Sequence, residues 1–364
     1  MKRIAAALAA TLCLALAPNV HAQTGAQSTA EAAAEKPISR LDPALDALLA
    51  PEARLEMVVT GFGFTEGNIW VENKKDKKYK GYLLFSDIPA NVVYKWTPDG
   101  KISVYLEKAG YQKPDSWRAG FEFHNGREPT DPKFEKFFMS GSNGLTMDRQ
   151  GRLIIAAWAG RSIDRIEKNG KRTVLAATFH GKQFNGTNDV VVKRDGMIYF
   201  TDTCDGLRGR CKDPKRGIDT VGIFRVSPKG GEVTQIIDDI PVPNGLVFSP
   251  DEKILYANGG GKRYINAYDV KPDGTVTNGR LLIDLNDDKA PGITDGMKVD
   301  VKGNIYTTGP GGVWIISPEG KRLGLIPLPE LGGNVAFGDP DYKTLYIAAR
   351  SSIYKIRTKL AGVP

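Results

Sequence analysis

The chain has 364 residues, 50 Lys and Arg against 42 Asp and Glu, a formal net charge of +8, and 41% hydrophobic residues. That balance belongs to a folded chain and excludes a disordered one. The 41 Gly and 22 Pro require many turns, which favours β structure over a helical bundle, and three His with three Cys leave little from which to build a zinc cluster.

The first 22 residues read as an export signal. Lys2 and Arg3 form a positive start, Ile4 to Ala17 is apolar, and Val20-His21-Ala22 offers a small-residue cleavage site before Gln23. The apolar run is short for a bilayer, which needs about 18 residues or more. Cleavage after Ala22 is therefore expected, with an uncleaved N-terminal anchor as the alternative. The mature protein is expected to be periplasmic or secreted, without stable membrane insertion. Cys13 leaves with the signal, and Cys204 and Cys211 remain. An even count in an oxidising compartment predicts a local disulfide, against a reduced pair. Residues 23–57 read as a flexible leader, with a possible short helix from Leu41 to Leu49. The run Lys74-Lys75-Asp76-Lys77-Lys78 reads as a solvated hairpin turn, and no basic stretch interleaves with aromatics as a nucleic-acid surface would.

From Val58 to about residue 360 the sequence repeats. A short apolar strand appears as Leu83-Leu-Phe-Ser-Asp87, Leu153-Ile-Ile-Ala-Ala157, Ile198-Tyr-Phe-Thr-Asp202, Leu255-Tyr-Ala-Asn258, Ile305-Tyr-Thr-Thr308 and Leu345-Tyr-Ile-Ala348. Each is followed by a second strand, such as Val93-Tyr-Lys-Trp96 or Ile353-Tyr-Lys-Ile356, and commonly by a turn like Pro98-Asp-Gly100. Six copies predict an all-β, six-bladed β-propeller; a β-sandwich would not need six matching units. The last strand is expected to close the ring against sequence near Val58, removing an exposed edge.

Ahead of each apolar strand lies a polar residue that opens an innermost strand: Glu66, Asn143, Asn188, Asn244, Asp295 and Asn334. In the last five copies it stands eleven or twelve residues before the repeat's aliphatic or aromatic marker. Equivalent positions must converge on the axis, so six oxygen-bearing side chains are expected at one mouth of the channel. Two carboxylates and several amides without His or Cys describe a hard-cation site of the calcium type. A buried carboxylate pair would be costly without a cation. The alternative for any one copy is an ordinary Asn-Gly or Asp-Gly turn.

Gly63-Phe-Thr-Glu-Gly67, Leu83-Leu-Phe-Ser-Asp-Ile-Pro-Ala-Asn91, Asn143-Gly-Leu-Thr-Met-Asp148, Thr187-Asn-Asp189, Pro243-Asn-Gly-Leu-Val-Phe-Ser-Pro-Asp251 and Ile293-Thr-Asp-Gly-Met297 together resemble the SMP-30/gluconolactonase family over about residues 58–358. The resemblance implies a six-bladed propeller with one divalent ion, usually calcium, at the channel mouth. It also implies hydrolysis of sugar lactones, or in relatives of other lactones or organophosphate esters. By motif, the metal ligands would be Glu66, Asn188, Asn244 and Asp295. Asn143 would contact substrate, and Asp189 would orient the shell or face the pocket. Thr203-Cys-Asp-Gly206 replaces a Pro-Pro-Tyr-Gly type loop of many members, and Gly141 stands where some sugar-lactone members carry Arg. Both departures leave the substrate open.

The expected chemistry is a lactone or ester carbonyl polarised by the ion and attacked by water, with Asp295 as the first candidate for the base. No Gly-x-Ser-x-Gly elbow supports a serine mechanism. A related phosphoester hydrolase and a non-catalytic ligand-binding propeller are the alternatives. The insert from Gln112 to Met139, with Trp117, Phe121, Phe123, His124 and Arg127, is either a lid over the mouth or a surface loop. His124 and His180 are expected to be structural or surface residues.

Overall fold

The apolar alternation that repeats along the chain folds into six four-stranded antiparallel sheets around one axis. The computed structural model describes residues 36–124 and 136–364; the expected signal, the first part of the leader and Arg127 lie outside the described residues. Blade 1 runs Thr65–Glu72, Gly81–Asp87, Val92–Trp96 and Ile102–Glu107. Blade 2 comprises Leu145–Met147, Leu153–Ala157, Ser162–Ile166 and Arg172–Ala176. Blade 3 comprises Thr187–Val192, Ile198–Asp202, Gly222–Val226 and Val233–Ile237, and blade 4 Pro243–Phe248, Ile254–Gly259, Tyr264–Val270 and Val276–Asp284. Blade 5 holds Met297–Val299, Ile305–Gly309, Gly312–Ile316 and Arg322–Pro327.

Blade 6 takes three strands from the C-terminal end, Gly332–Gly338, Thr344–Ala349 and Ser352–Arg357. Its outermost strand is Glu56–Thr60, antiparallel to Ser352–Arg357. The ring thus closes as expected, and the terminal edge finds a partner.

Each seam between blades is filled by the marker of the second strand. Leu84 and Ile154 lie in the seams of blades 1 and 2 with their successors. Tyr199 packs with Leu246 and Phe248, Tyr256 with Met297 and Val299, and Tyr306 with Val335 and Phe337. Tyr346 stacks on Trp70 of blade 1 at 5.8 Å between ring centroids. Burial of such rings is the main stabilising term. Two of the tyrosine hydroxyls are satisfied by protein acceptors: Tyr199 donates to the Gly274 carbonyl at 2.8 Å and Tyr346 to Asp339 Oδ1 at 2.8 Å.

The segment expected to be a flexible leader instead packs from Ile38 onward. Ser39–Arg40 adds a fifth strand to blade 5, in register with Leu325 and Gly324. The short helix is a 3₁₀ turn, Pro43–Ala47, with Asp42 Oδ1 accepting from the Ala44 N–H at 2.8 Å. Leu45, Leu48 and Leu49 enter the blade 5–6 core. Burial of these three leucines offsets the entropy of ordering the segment.

Candidate metal and substrate site

The innermost strand of every blade begins beside the axis, and the expected residues stand there. Glu66, Asn143, Asn188, Asp189, Asn244 and Asn334 are all buried, and Asp295, at the head of blade 5's inner strand, lies within electrostatic reach of Glu66 and Asp189. Six contacts run once round the axis. Ser86 Oγ donates to the Asn143 carbonyl at 2.9 Å, and Gly144 N–H to the Asn188 carbonyl at 2.8 Å. Asp189 accepts from the Leu246 backbone. Asn258 Nδ2 donates to the Asp295 carbonyl at 2.5 Å, and Gly296 N–H to the Gly333 carbonyl at 2.8 Å. Asn334 Nδ2 reaches Glu66 Oε2 at 3.1 Å and completes the circuit.

Such close approach requires small residues. A Cβ on Gly67, whose φ is +54°, would lie 2.1 Å from the Asn143 carbonyl oxygen, and one on Gly245 would lie 2.2 Å from that of Asp295. The Glu66-Gly67 and Asn244-Gly245 steps therefore serve to pack the ring as well as to turn the chain.

Three amide oxygens at the mouth are orphans. Oδ1 of Asn143, Asn188 and Asn244, and Oδ2 of Asp189, are buried without a hydrogen-bond partner. Unpaired buried acceptors are rare and costly unless something else binds them. The Asn244 amide hydrogen-bonds Asp295, which leaves its oxygen for another partner. Burial pushes Glu66 up to about 7, against bonds from Gly67 N–H and Asn334 that lower it. Burial raises Asp295 well above the carboxylate range, with Glu66 and Asp189 adding repulsion. Asp189 is raised by burial as well. Glu66, Asp189 and Asp295 repel one another across the mouth, and a divalent cation would relieve that cost.

The donor set fits a hard ion: carboxylate and amide oxygens, with no His or thiolate among them. Among the described residues no three His, Cys, Asp or Glu side chains gather as a metal cluster; the candidate set depends on Asn. One expectation needs correction. Asn334 does not offer a free oxygen, since its Oδ1 accepts from Val335 N–H at 2.9 Å while its Nδ2 holds Glu66. It positions a carboxylate, so five of the six register positions, not six, remain for an ion or substrate.

Sequence reasoning also missed the residues that hold the ring from behind. Ser86, Thr201, Asn258 and Thr308 occupy equivalent places near the end of the second strands of blades 1, 3, 4 and 5. Thr201 Oγ1 accepts from Asp189 N–H at 2.9 Å, Asn258 Oδ1 from Gly245 N–H at 3.0 Å, and Thr308 Oγ1 donates to the Gly333 carbonyl at 3.2 Å. Their signal was the polar ending of an otherwise apolar repeat. Lys298, on the inner strand of blade 5, places a positive charge near Glu66 and Asp189. Nothing in its sequence context marked it.

In the described part of the insert, Glu122–His124 pairs antiparallel with Lys136–Phe138. Phe123 meets Phe64 edge-on at 5.1 Å, and Phe121 meets Trp158 at 5.5 Å. His124 Nε2 contacts Glu122 Oε1 at 2.8 Å on the surface, and His180 stands on an exposed hairpin against Phe179. Cys204 and Cys211 are joined, with an S–S distance of 2.06 Å.

The SMP-30/gluconolactonase/LRE-like family model matches residues 64–351. A gluconolactonase of Zymomonas mobilis is 33% identical over 335 residues, covering 89% of this chain and 87% of its own. Bovine regucalcin is 32% identical over 287 residues, covering 78% and 81%. A solved gluconolactonase structure from Xanthomonas campestris superposes with a TM-score of 0.71 at 26% identity, over 89% of this chain and 95% of that one. With the match covering blades 1 to 5, part of blade 6 and the ring of axial residues, the chain belongs to the SMP-30/gluconolactonase family.

Proposed function

We propose that the protein is a lactonase whose site is completed by a divalent cation, calcium in chemistry, and that it opens a sugar-type lactone. The observation that carries this reading is the set of orphaned Asn oxygens beside buried, mutually repelling carboxylates. Similarity to gluconolactonases over nearly the full chain supports the reaction class. Glu66, Asn188, Asn244 and Asp295 would hold the ion, which supplies Lewis-acid polarisation of the lactone carbonyl when bound. Asn143 would hydrogen-bond the substrate through the Oδ1 that lacks a protein partner. The Asp295 carboxylate, at the edge of the ion, would take the proton of the attacking water. Asn334 and Gly67 N–H hold Glu66 in place. Phe64, Phe121, Phe123 and Trp158 pack into one cluster with Ile88 and Met139.

Export to an oxidising compartment belongs to the same proposal, supported by the N-terminal signal pattern and the Cys204–Cys211 bond.

The deciding experiment is hydrolysis of a panel of lactones, carboxylic esters and phosphotriesters, with and without chelator, by wild type and Asp295→Asn. Lactone opening that chelator abolishes, calcium restores and Asp295→Asn lacks is expected. Full activity in chelator would overturn the reading.

A further inference from the structure

A cleft of about 630 Å³ lies between blades 2 and 3, beside the axial mouth. Thr187 at the head of blade 3's inner strand pairs with Asp202 at the end of the second. The 203–221 connection therefore emerges at the end where Asn188 sits. The two regions touch: a Cβ on Gly206 would lie 2.6 Å from the carbonyl oxygen of Asn185. The cleft is walled by the start of the insert, the turn after Ala157 and the disulfide-closed loop.

Among the described residues its charged lining is mostly basic: Lys113, Arg161 and Lys215, together with Arg118 and Arg208, which have partners of their own, stand beside the carboxylate of Asp213. Asp213 is engaged by its own loop, with Oδ2 accepting from Gly209 N–H and Oδ1 from Lys215 N–H, both at 2.8 Å. Asp202, the other acid facing Arg161, accepts from the Asn185 and Gly186 N–H groups. Half-buried Arg161 donates its Nε to the Phe184 carbonyl at 2.5 Å, while its Nη2 is buried with no partner. An unsatisfied guanidinium N–H in a basic, partly desolvated cleft needs an acceptor, and its planar fork matches carboxylate or phosphate oxygens.

We propose that this cleft binds the anionic group, a carboxylate or a phosphate, of a small-molecule ligand. Taken with the proposed function, on which this extension rests, the preferred lactone would carry such a group away from its ring. The anion site itself does not depend on that reading.

The test is calorimetric titration of metal-stripped, chelator-free protein with gluconate, with glucose 6-phosphate, and with neutral methyl glucoside. At least one anion should bind, at least tenfold tighter than methyl glucoside, and should weaken as salt rises. Arg161→Gln should weaken it tenfold or more. The exposed pair Lys113→Gln/Lys215→Gln should act likewise, which keeps the test open should Arg161→Gln misfold. The two anions separate the carboxylate from the phosphate assignment. Anions that bind no better than methyl glucoside, or that bind both variants as tightly as wild type, would overturn the proposal. No turnover is read, so a protein that binds anions yet opens no lactone would overturn only the lactonase reading.

Discussion

Glu66→Gln tests the cation site through a change of sign. Glu66 has an ordinary value of 4.5 and is raised to about 7 by burial. A folded value above the unfolded one means that the stability Glu66 contributes below about 4.5 is lost as pH rises through about 7. At pH 8 the metal-free protein therefore carries the whole penalty, about 3 kcal/mol at 1.36 kcal/mol per unit. Glutamine keeps an acceptor for Gly67 N–H and Asn334 Nδ2 and removes the charge. Without calcium the variant should melt higher than wild type. With calcium at a thousand times its dissociation constant, wild type gains about 4 kcal/mol by mass action. The variant, short of one ligand and one charge, should gain far less and melt below wild type. Thermal melts at pH 8 in chelator and in calcium decide the matter. A variant that shifts in the same direction under both conditions would refute the reasoning.

Asn143→Ala should lower kcat more than it lowers calcium affinity, because Asn143 is assigned to substrate; steady-state kinetics in saturating calcium, with calorimetry of calcium binding, would check this. Asp202 is buried and raised to about 7 from 3.8, so stability that it supports at low pH fades as pH rises through about 7. Asp202→Asn should remove that component, worth at most about 4 kcal/mol, and flatten the melting temperature between pH 4 and pH 8 relative to wild type. Gly245→Ala would set a methyl 2.2 Å from the Asp295 carbonyl oxygen, so it should displace that residue. Loss of calcium-induced thermal stabilisation together with activity is expected, and a fully active Gly245→Ala enzyme would show the ring to be more pliable than its packing implies.

Much of this protein is legible as a repeat. The apolar strand with its Tyr or aliphatic marker and the polar residue that opens each inner strand occur six times in one register. Equivalent positions in a closed ring must converge, because the symmetry of the fold leaves them nowhere else to point. The six blades, the closure at Glu56–Thr60 and the axial gathering of Glu66, Asn143, Asn188, Asn244 and Asp295 follow from that argument. What the repeat could not decide depends on contacts between residues far apart in the chain. Asn334 shares the register of the others but turns its amide to Glu66, a partner 268 residues away. Leu45, Leu48 and Leu49 sit outside the repeat, and only the groove between blades 5 and 6 makes them core. The basic cleft draws its charges from three separate segments, each unremarkable alone. Periodicity fixes what every copy of a unit must do; the departure of one copy is set by its neighbours in space, and those are known only once the ring has closed.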